Sequence, residues 1–486
     1  MEKIPSNLRE TIIYFSLLLL FSLLAINRFA PSYIDADNVI MSIMSLQKVT
    51  LFYWGEDRFA NFIPLALSFI AMPHLNLLAH FFVFSLSFFA LLFVCARLII
   101  RLSNDPLKPS SILAAFGLLV ATTFLCLRPF ALAVFGLLTQ PYSFSYLTLL
   151  TACGLVLWPN RPGWLPWISA SLELFISTGF NPSILIPAIA LGGGAVLVRR
   201  QWHGFLFVAL ASGSFFVWGI LAKLYGSPST VEYSKFNFED TNTHFGAALD
   251  SIVRQFNLPI LVMIVFFICL ISLIHQMKQE IATSRFSMPI LSFALIWLFV
   301  FAQNEWVRMN QMSFRYFFPV FLAPVFVIAL ALYAEFRLLG SKVLNGVSVL
   351  CIAFGIWYLA SPYVQPSKYP LLAKARMDAK FAAQNRIVLI GGNYWKAWPT
   401  VFELMNANRE AFGVALRAQG NREKAANEVN AEYSKQGVLR ILSFGSSGEE
   451  CKGELDHITG GTWQLKGVEY RDDDKVISVF ERTETK

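Results

Sequence analysis

The chain has 486 residues, of which 56% are hydrophobic and 14% charged, and its mean hydropathy is +0.55. A soluble globular domain carries about 25% charged residues, so this composition excludes an ordinary soluble protein and indicates a polytopic membrane protein. The formal charge of +8 does not indicate a nucleic-acid partner, because the Lys and Arg residues lie mostly at span ends and in the C-terminal tail, without a basic run.

Long apolar segments run through the first 361 residues. A helix needs about 20 apolar residues to cross the hydrocarbon core of a bilayer. This rule predicts about eleven transmembrane helices, near residues 11–29, 76–100, 111–127, 141–158, 164–180, 182–198, 204–224, 257–275, 286–303, 316–335 and 343–360. The first of them lacks a small-residue cleavage site, so it is predicted to be an uncleaved helix.

Lys and Arg at the span ends predict the orientation. Arg199-Arg200 and the group Arg97, Arg101 and Lys108 are stop-transfer signals that place the N-terminus in the cytoplasm. With eleven crossings, the first outer loop and the C-terminal tail then face the same outer compartment.

The tail from residue 362 to 486 is charged and water-soluble, unlike residues 1–361. We predict a small α/β domain there, because helical periodicity alternates with short buried strands. The predicted helices cover 374–384 and 421–436, and the predicted strands cover 386–390, 413–417, 438–444 and 476–480. Gly391-Gly392 is not taken as a phosphate site, because no third glycine follows.

The first outer loop concentrates acidic residues. Asp35 and Asp37 follow the first span, and Glu56, Asp57 and Arg58 form a second polar group of candidate substrate-binding residues. A carboxylate can accept the proton of an attacking hydroxyl, so either Asp is a candidate catalytic base. The segment 38–49 is predicted to be an amphipathic helix on the membrane surface. The alternative for the acids is that Asp37 or Asn38 caps that helix.

Cationic and aromatic residues lie in a later outer loop. Arg308, Arg315 and Tyr316 are candidate substrate-binding residues, since the planar guanidinium fork of arginine suits phosphate oxygens. Arg128 is a weaker candidate of the same kind. The alternative is that these side chains anchor the protein at the interface with membrane lipid.

Neither a metal site nor a disulfide framework is predicted. The six histidines show no ligand spacing, and five of the six cysteines lie within apolar spans. No cofactor is expected, although Mg²⁺ or Mn²⁺ bound by Asp35, Asp37 and Glu56 stays open, because hard cations prefer oxygen ligands.

Three segments carry a resemblance to a known class of enzyme: Tyr33-Ile-Asp35-Ala-Asp37, Phe52-Tyr-Trp54-Gly55-Glu56-Asp57-Arg58-Phe59, and Arg315-Tyr316-Phe317 before Pro319. With the many spans and the soluble tail, the chain resembles GT-C glycosyltransferases that use polyprenyl-phosphate sugars, and more narrowly the serotype-converting O-antigen glucosyltransferases. This resemblance implies a GT-C-like all-α membrane bundle with a small C-terminal α/β domain.

The same resemblance implies what the protein does. The donor would be undecaprenyl-phosphate-linked glucose, the acceptor O-antigen or a related surface glycan, and the reaction an inverting direct displacement in the bacterial inner membrane with the C-terminal domain in the periplasm. A flippase and a donor-synthesising enzyme would act upstream. Two alternatives remain: a lipid-linked sugar flippase or carrier without catalysis, which the absence of a repeat disfavours, and an O-antigen polymerase or ligase.

Overall fold

The computed structural model describes residues 6–54, 56, 59–134, 142–158, 162–226, 235–259, 263, 265, 267, 284–361, 371–445, 447–472 and 474–483. Among the first 361 residues the described helices are α1 (Ser6–Tyr33), α2 (Ala36–Gln47), α3 (Phe62–Leu67), α4 (Pro73–Leu102), α5 (Pro109–Cys126), α6 (Pro129–Leu132), α7 (Tyr142–Val156), α8 (Trp164–Phe180), α9 (Leu185–Arg199), α10 (His203–Tyr225), α11 (Thr241–Val253), α12 (Ser284–Ala302), α13 (Glu305–Met309), α14 (Phe318–Leu338) and α15 (Ser341–Ala360).

Helices occupy ten of the eleven predicted spans, and the remaining one, 257–275, lies largely outside the described residues. Six stretches of helix are long and apolar enough to cross a bilayer: Leu8–Tyr33, Pro73–Leu102, Pro109–Cys126, His203–Tyr225, Phe314–Leu338 and Ser341–Ala360. The chain is therefore a multi-pass membrane protein, while the count of eleven spans stays a prediction.

Two compact units divide the chain: one comprises residues 1–29, 84–217 and 230–363, and the other comprises 30–83, 218–229 and 364–486. We call the first the membrane unit and the second the mixed unit. The predicted domain boundary at residue 362 lies close to residue 364, but the mixed unit also takes in segments 30–83 and 218–229, which the sequence pattern assigned to the membrane domain.

The membrane unit packs around α5, whose apolar stretch is 78% buried. Small residues allow the close contacts there: a Cβ added to Gly117 would lie 3.2 Å from the Ser348 carbonyl oxygen of α15. Gly192 likewise has the Gly204 carbonyl oxygen 2.8 Å from where its Cβ would be, and small residues allow such close approach between membrane helices. By contrast, the apolar stretch of α15 is only 22% buried and exposes Trp357, as expected of a surface that faces lipid.

The mixed unit contains the C-terminal α/β domain. Its elements are α16 (Leu371–Gln384), β1 (Leu389–Gly392), α17 (Tyr394–Asn406), β2 (Phe412–Ala415), α18 (Arg422–Gln436), β3 (Leu439–Phe444), α19 (Lys452–Thr459), β4 (Trp463–Asp472) and β5 (Lys475–Arg482). Every predicted strand and helix of the tail has a counterpart here. Helices α17 and α19 were not predicted.

The five strands form one sheet in the order β2-β1-β3-β5-β4. Strand β1 pairs in parallel with β2 and with β3, so that Ile390 lies opposite Gly413 on one side and Leu442 on the other. Strands β3, β5 and β4 are antiparallel to their neighbours. The strands that follow β1 in sequence, β2 and β3, therefore lie on opposite sides of it. In open α/β sheets, functional groups are commonly found at the carboxyl ends of the strands where the strand order reverses in this way.

Candidate active site

The two aspartates of the first loop have different roles in the structure. Asp35 precedes α2 with an extended backbone (φ −127°, ψ −178°), and its Oδ1 accepts a hydrogen bond from the Asn38 backbone N–H at 3.0 Å. The Asn38 side chain accepts a bond from the Asp35 backbone N–H in return, also at 3.0 Å. This reciprocal pair is a capping box, so Asp35 caps the helix. The alternative in which Asp37 caps the helix is therefore wrong, and Asn38 takes part in the capping box only as its third helical residue.

Asp37 lies in the first turn of α2, where a carboxylate is favoured by the helix dipole. The Tyr394 hydroxyl donates a hydrogen bond to Asp37 Oδ1 at 2.6 Å. This bond links residues that are 357 positions apart, within the mixed unit.

Helix α2 is largely covered by protein, whereas the amphipathic pattern predicts that its apolar face meets the membrane surface. Nine of its residues are buried, including Val39, Ile40, Ile43 and Met44, and α17 of the C-terminal domain packs against it. Its apolar side chains are therefore covered by protein rather than by lipid.

Helix α17 places Tyr394 at its first position. The Asn393 side chain caps this helix by accepting a hydrogen bond from the Trp395 backbone N–H at 3.0 Å. Burial, followed by the charge of Asp37, raises the pKa of the Tyr394 phenol well above its usual value. The phenol thus stays protonated and remains a donor to the carboxylate at any physiological pH.

Glu56, from the second acidic group, is buried with 4% of its side chain exposed and forms an ion pair with Arg417. The Arg417 guanidinium also lies over the Tyr53 ring at 4.9 Å. Burial lowers the pKa of Arg417, but its neighbours Tyr53 and Glu56 outweigh that effect, so the net pKa is raised and the side chain is a permanent cation. Burial, followed by the charge of Asp37, raises the pKa of Tyr53.

Parallel strand geometry explains why Tyr394 and Arg417 occur together. Tyr394 follows β1 after one intervening residue and Arg417 follows β2 in the same way. The carboxyl ends of adjacent parallel strands meet at one edge of the sheet. We call Asp37, Glu56, Tyr53, Tyr394 and Arg417 the acid cluster. The sequence pattern indicated the two acids of this cluster but not its other three residues. The polar side chains that directly follow the parallel strands are the signal that indicates Tyr394 and Arg417.

The loop after β3 also lies at this edge of the sheet, and its backbone N–H groups bind the carboxylate of a residue from the same loop. Glu450 accepts hydrogen bonds from the backbone N–H groups of Ser447 at 2.7 Å and Gly448 at 2.8 Å. Gly392 has φ +84°, and a Cβ there would lie 2.5 Å from the Phe444 carbonyl oxygen. Gly392, the last residue of β1, therefore serves the close packing of β1 against β3.

Other predicted residues fall elsewhere. Asp57 and Arg58 lie outside the described residues. In the membrane unit, Arg128 Nε donates to the Phe256 carbonyl oxygen at 3.2 Å, and Arg315 donates to the Tyr316 hydroxyl at 3.0 Å.

The turns that hold Arg128 and Arg315 are neighbours in that unit, because the rings of Phe130 and Phe314 pack with centroids 5.5 Å apart. Arg308 is half-buried near the end of α13. Among the described residues, no group of three or more His, Cys, Asp or Glu side chains is arranged to hold a metal ion.

Neither a family model nor a curated protein matches this chain. A solved structure, the arabinosyltransferase EmbB from Mycobacterium smegmatis, is similar with a TM-score of 0.35 and 12% identity, over 97% of this chain and 46% of that one. The chain thus spans less than half the length of EmbB, and the likeness is too remote to establish a shared fold or activity.

Proposed function

We propose that this protein is a membrane glycosyltransferase that transfers glucose from undecaprenyl phosphate to O-antigen or a related surface glycan on the periplasmic side. The observation that carries the proposal is the position of Asp37 in the acid cluster, where its carboxylate is fixed by Tyr394 at 2.6 Å. An oriented carboxylate is what a transfer to a hydroxyl requires, because the proton of the attacking hydroxyl must be accepted as the new bond forms.

The reaction is an inverting direct displacement. The acceptor hydroxyl oxygen bonds to the anomeric carbon, the bond from that carbon to the phosphate oxygen breaks, and undecaprenyl phosphate leaves with the electron pair. Asp37 takes the hydroxyl proton. The departing phosphate needs cationic donors where its charge develops, and Arg128, Arg308 and Arg315 are the proposed candidates on sequence grounds.

The structure favours Asp37 over Asp35 as the base. Asp35 Oδ1 is used by the helix cap, and replacing a capping Asp with Asn conserves the cap, because the two are equally good at that position. The pair of variants Asp35→Asn and Asp37→Asn therefore differ in one respect only, the carboxylate that is lost.

The experiment measures transfer of labelled glucose from synthetic undecaprenyl-phosphate glucose to acceptor polysaccharide in membranes that contain equal amounts of each variant. We expect Asp37→Asn to lose activity by roughly 10²–10⁴-fold and Asp35→Asn to retain nearly all of it. Full activity of Asp37→Asn would contradict the assignment of the base. Wild-type membranes that transfer no glucose, while surface polysaccharide is unchanged by deletion of the gene, would contradict the proposed reaction.

A further inference from the structure

Both ends of α2 are bound by the C-terminal domain. At the N-terminal end, Asp37 accepts the hydrogen bond from Tyr394. At the C-terminal end, Gln47 Nε2 donates to the Ala411 carbonyl oxygen at 2.8 Å, and Gln47 Oε1 accepts from Asn421 Nδ2 at 2.8 Å. A helix held at both ends and packed along its length by α17 has a fixed position relative to that domain.

We propose that the C-terminal domain is part of the catalytic unit, and that Tyr394 is a positioning residue that orients the Asp37 carboxylate for proton transfer. This inference rests on the proposed function. Because one oxygen of the carboxylate accepts the tyrosine hydrogen bond, the direction of its second oxygen is set by the protein rather than by the substrate.

A second contact holds the rest of the acidic loop. Arg417 pairs with Glu56 and donates a further hydrogen bond to the Trp54 carbonyl oxygen at 3.4 Å. Its backbone has φ +84°, a left-handed conformation that is uncommon for a residue with a side chain and that persists only where surrounding contacts enforce it. Such outliers concentrate at functional sites, and here the strained residue ties the loop to the end of β2.

Tyr394→Phe is the variant that isolates the hydroxyl, because the ring and its packing are retained. Tyr433→Phe is the matched control: it removes a hydroxyl from α18 of the same domain, where the ring packs on Trp463 at 5.2 Å. Both variants are made in the full chain, and thermal unfolding in detergent gives the folded fraction of each.

We expect Tyr394→Phe to lower kcat by about 10- to 100-fold, because a misplaced reacting group costs on that order, while KM for undecaprenyl-phosphate glucose stays unchanged. Tyr433→Phe should have wild-type kcat. In an Asp37→Glu background, where the carboxylate is already displaced by one methylene group, Tyr394→Phe should cost much less than in the wild type, since residues that act as a unit are non-additive.

Two results would overturn the inference. The first is wild-type kcat per folded protein in Tyr394→Phe, with or without a lowered unfolding temperature, which would make the bond a structural tether. The second is an equal loss in the wild-type and Asp37→Glu backgrounds. Either result leaves the proposed function standing as long as Asp37→Asn is inactive, so the two failures are distinguishable.

Discussion

The ion pair between Glu56 and Arg417 makes a quantitative prediction about stability. Changing Arg417 to Met retains most of the aliphatic stem that lies over Tyr53 but removes the charge. Glu56, with 4% of its side chain exposed, is then a buried carboxylate that has lost the charge of Arg417. Removing one partner of a buried pair costs about 3–5 kcal/mol, because an uncompensated charge remains in a medium that solvates it poorly.

The structure sets the magnitude near the lower end of that range. Since Arg417 retains 20% exposure, water screens part of the interaction, and we expect a loss of about 3 kcal/mol for Arg417→Met. For a domain of 150–250 residues, each kcal/mol moves the unfolding midpoint by ~2–4 °C, so the midpoint should fall by roughly 6–12 °C.

The assay is thermal unfolding of the purified full-length protein in detergent, followed by intrinsic fluorescence. Lys466→Met is the matched control, because Lys466 forms an exposed pair with Glu481 at 3.2 Å, and exposed pairs contribute about 0–1 kcal/mol. The double variant Glu56→Gln/Arg417→Met removes both charges together, and should recover most of the stability that either single variant loses.

The reasoning would be refuted if Arg417→Met unfolded at the same temperature as Lys466→Met. It would also be refuted if the losses of the two single variants simply added in the double variant, because the cost is attributed to a charge left without its partner.

Two further changes in the mixed unit have expected outcomes. Gly420→Ala should destabilise the protein by about 1–3 kcal/mol, because a Cβ there would lie 2.2 Å from Trp54 Cδ1; Gly453→Ala, which meets open space, is the control, and equal unfolding temperatures would contradict this. A hydrogen bond from Lys374 holds the pKa of Asp474 at about 2, below its ordinary 3.8, so the stability it contributes is present above pH 3.8 and lost as the pH falls through about 2. Asp474→Asn should therefore remove part of the fall in unfolding temperature between pH 5 and pH 2, and an unchanged fall would refute the linkage.

Local sequence pattern predicted most strands of the tail, because a short, nearly continuous run of buried apolar residues is a property of a few consecutive positions. The segment 438–444 was predicted as a strand, and the structure has β3 at Leu439–Phe444. Helix α17 was missed because Pro399 lies inside it, and proline lacks the N–H that an interior helical position donates. A sequence pattern treats such a residue as a break, whereas packing against α2 and the sheet maintains the helix.

The amino-acid sequence by itself determined that the chain enters a membrane and that acidic residues gather in its first loop, since both follow from the composition of continuous segments. Only the tertiary structure separated Asp35 from Asp37, because the cap depends on the backbone angles at one residue and the partner of the other is 357 positions away. The position of Tyr394 and Arg417 just after strands marks them as polar residues of a sheet edge, but nothing local indicates that their partners are the acids of the first loop. Parallel strand pairing and the burial of α2 bring them to Asp37 and Glu56. The residues in contact are hundreds of positions apart, and sequence periodicity detects only patterns within a single element.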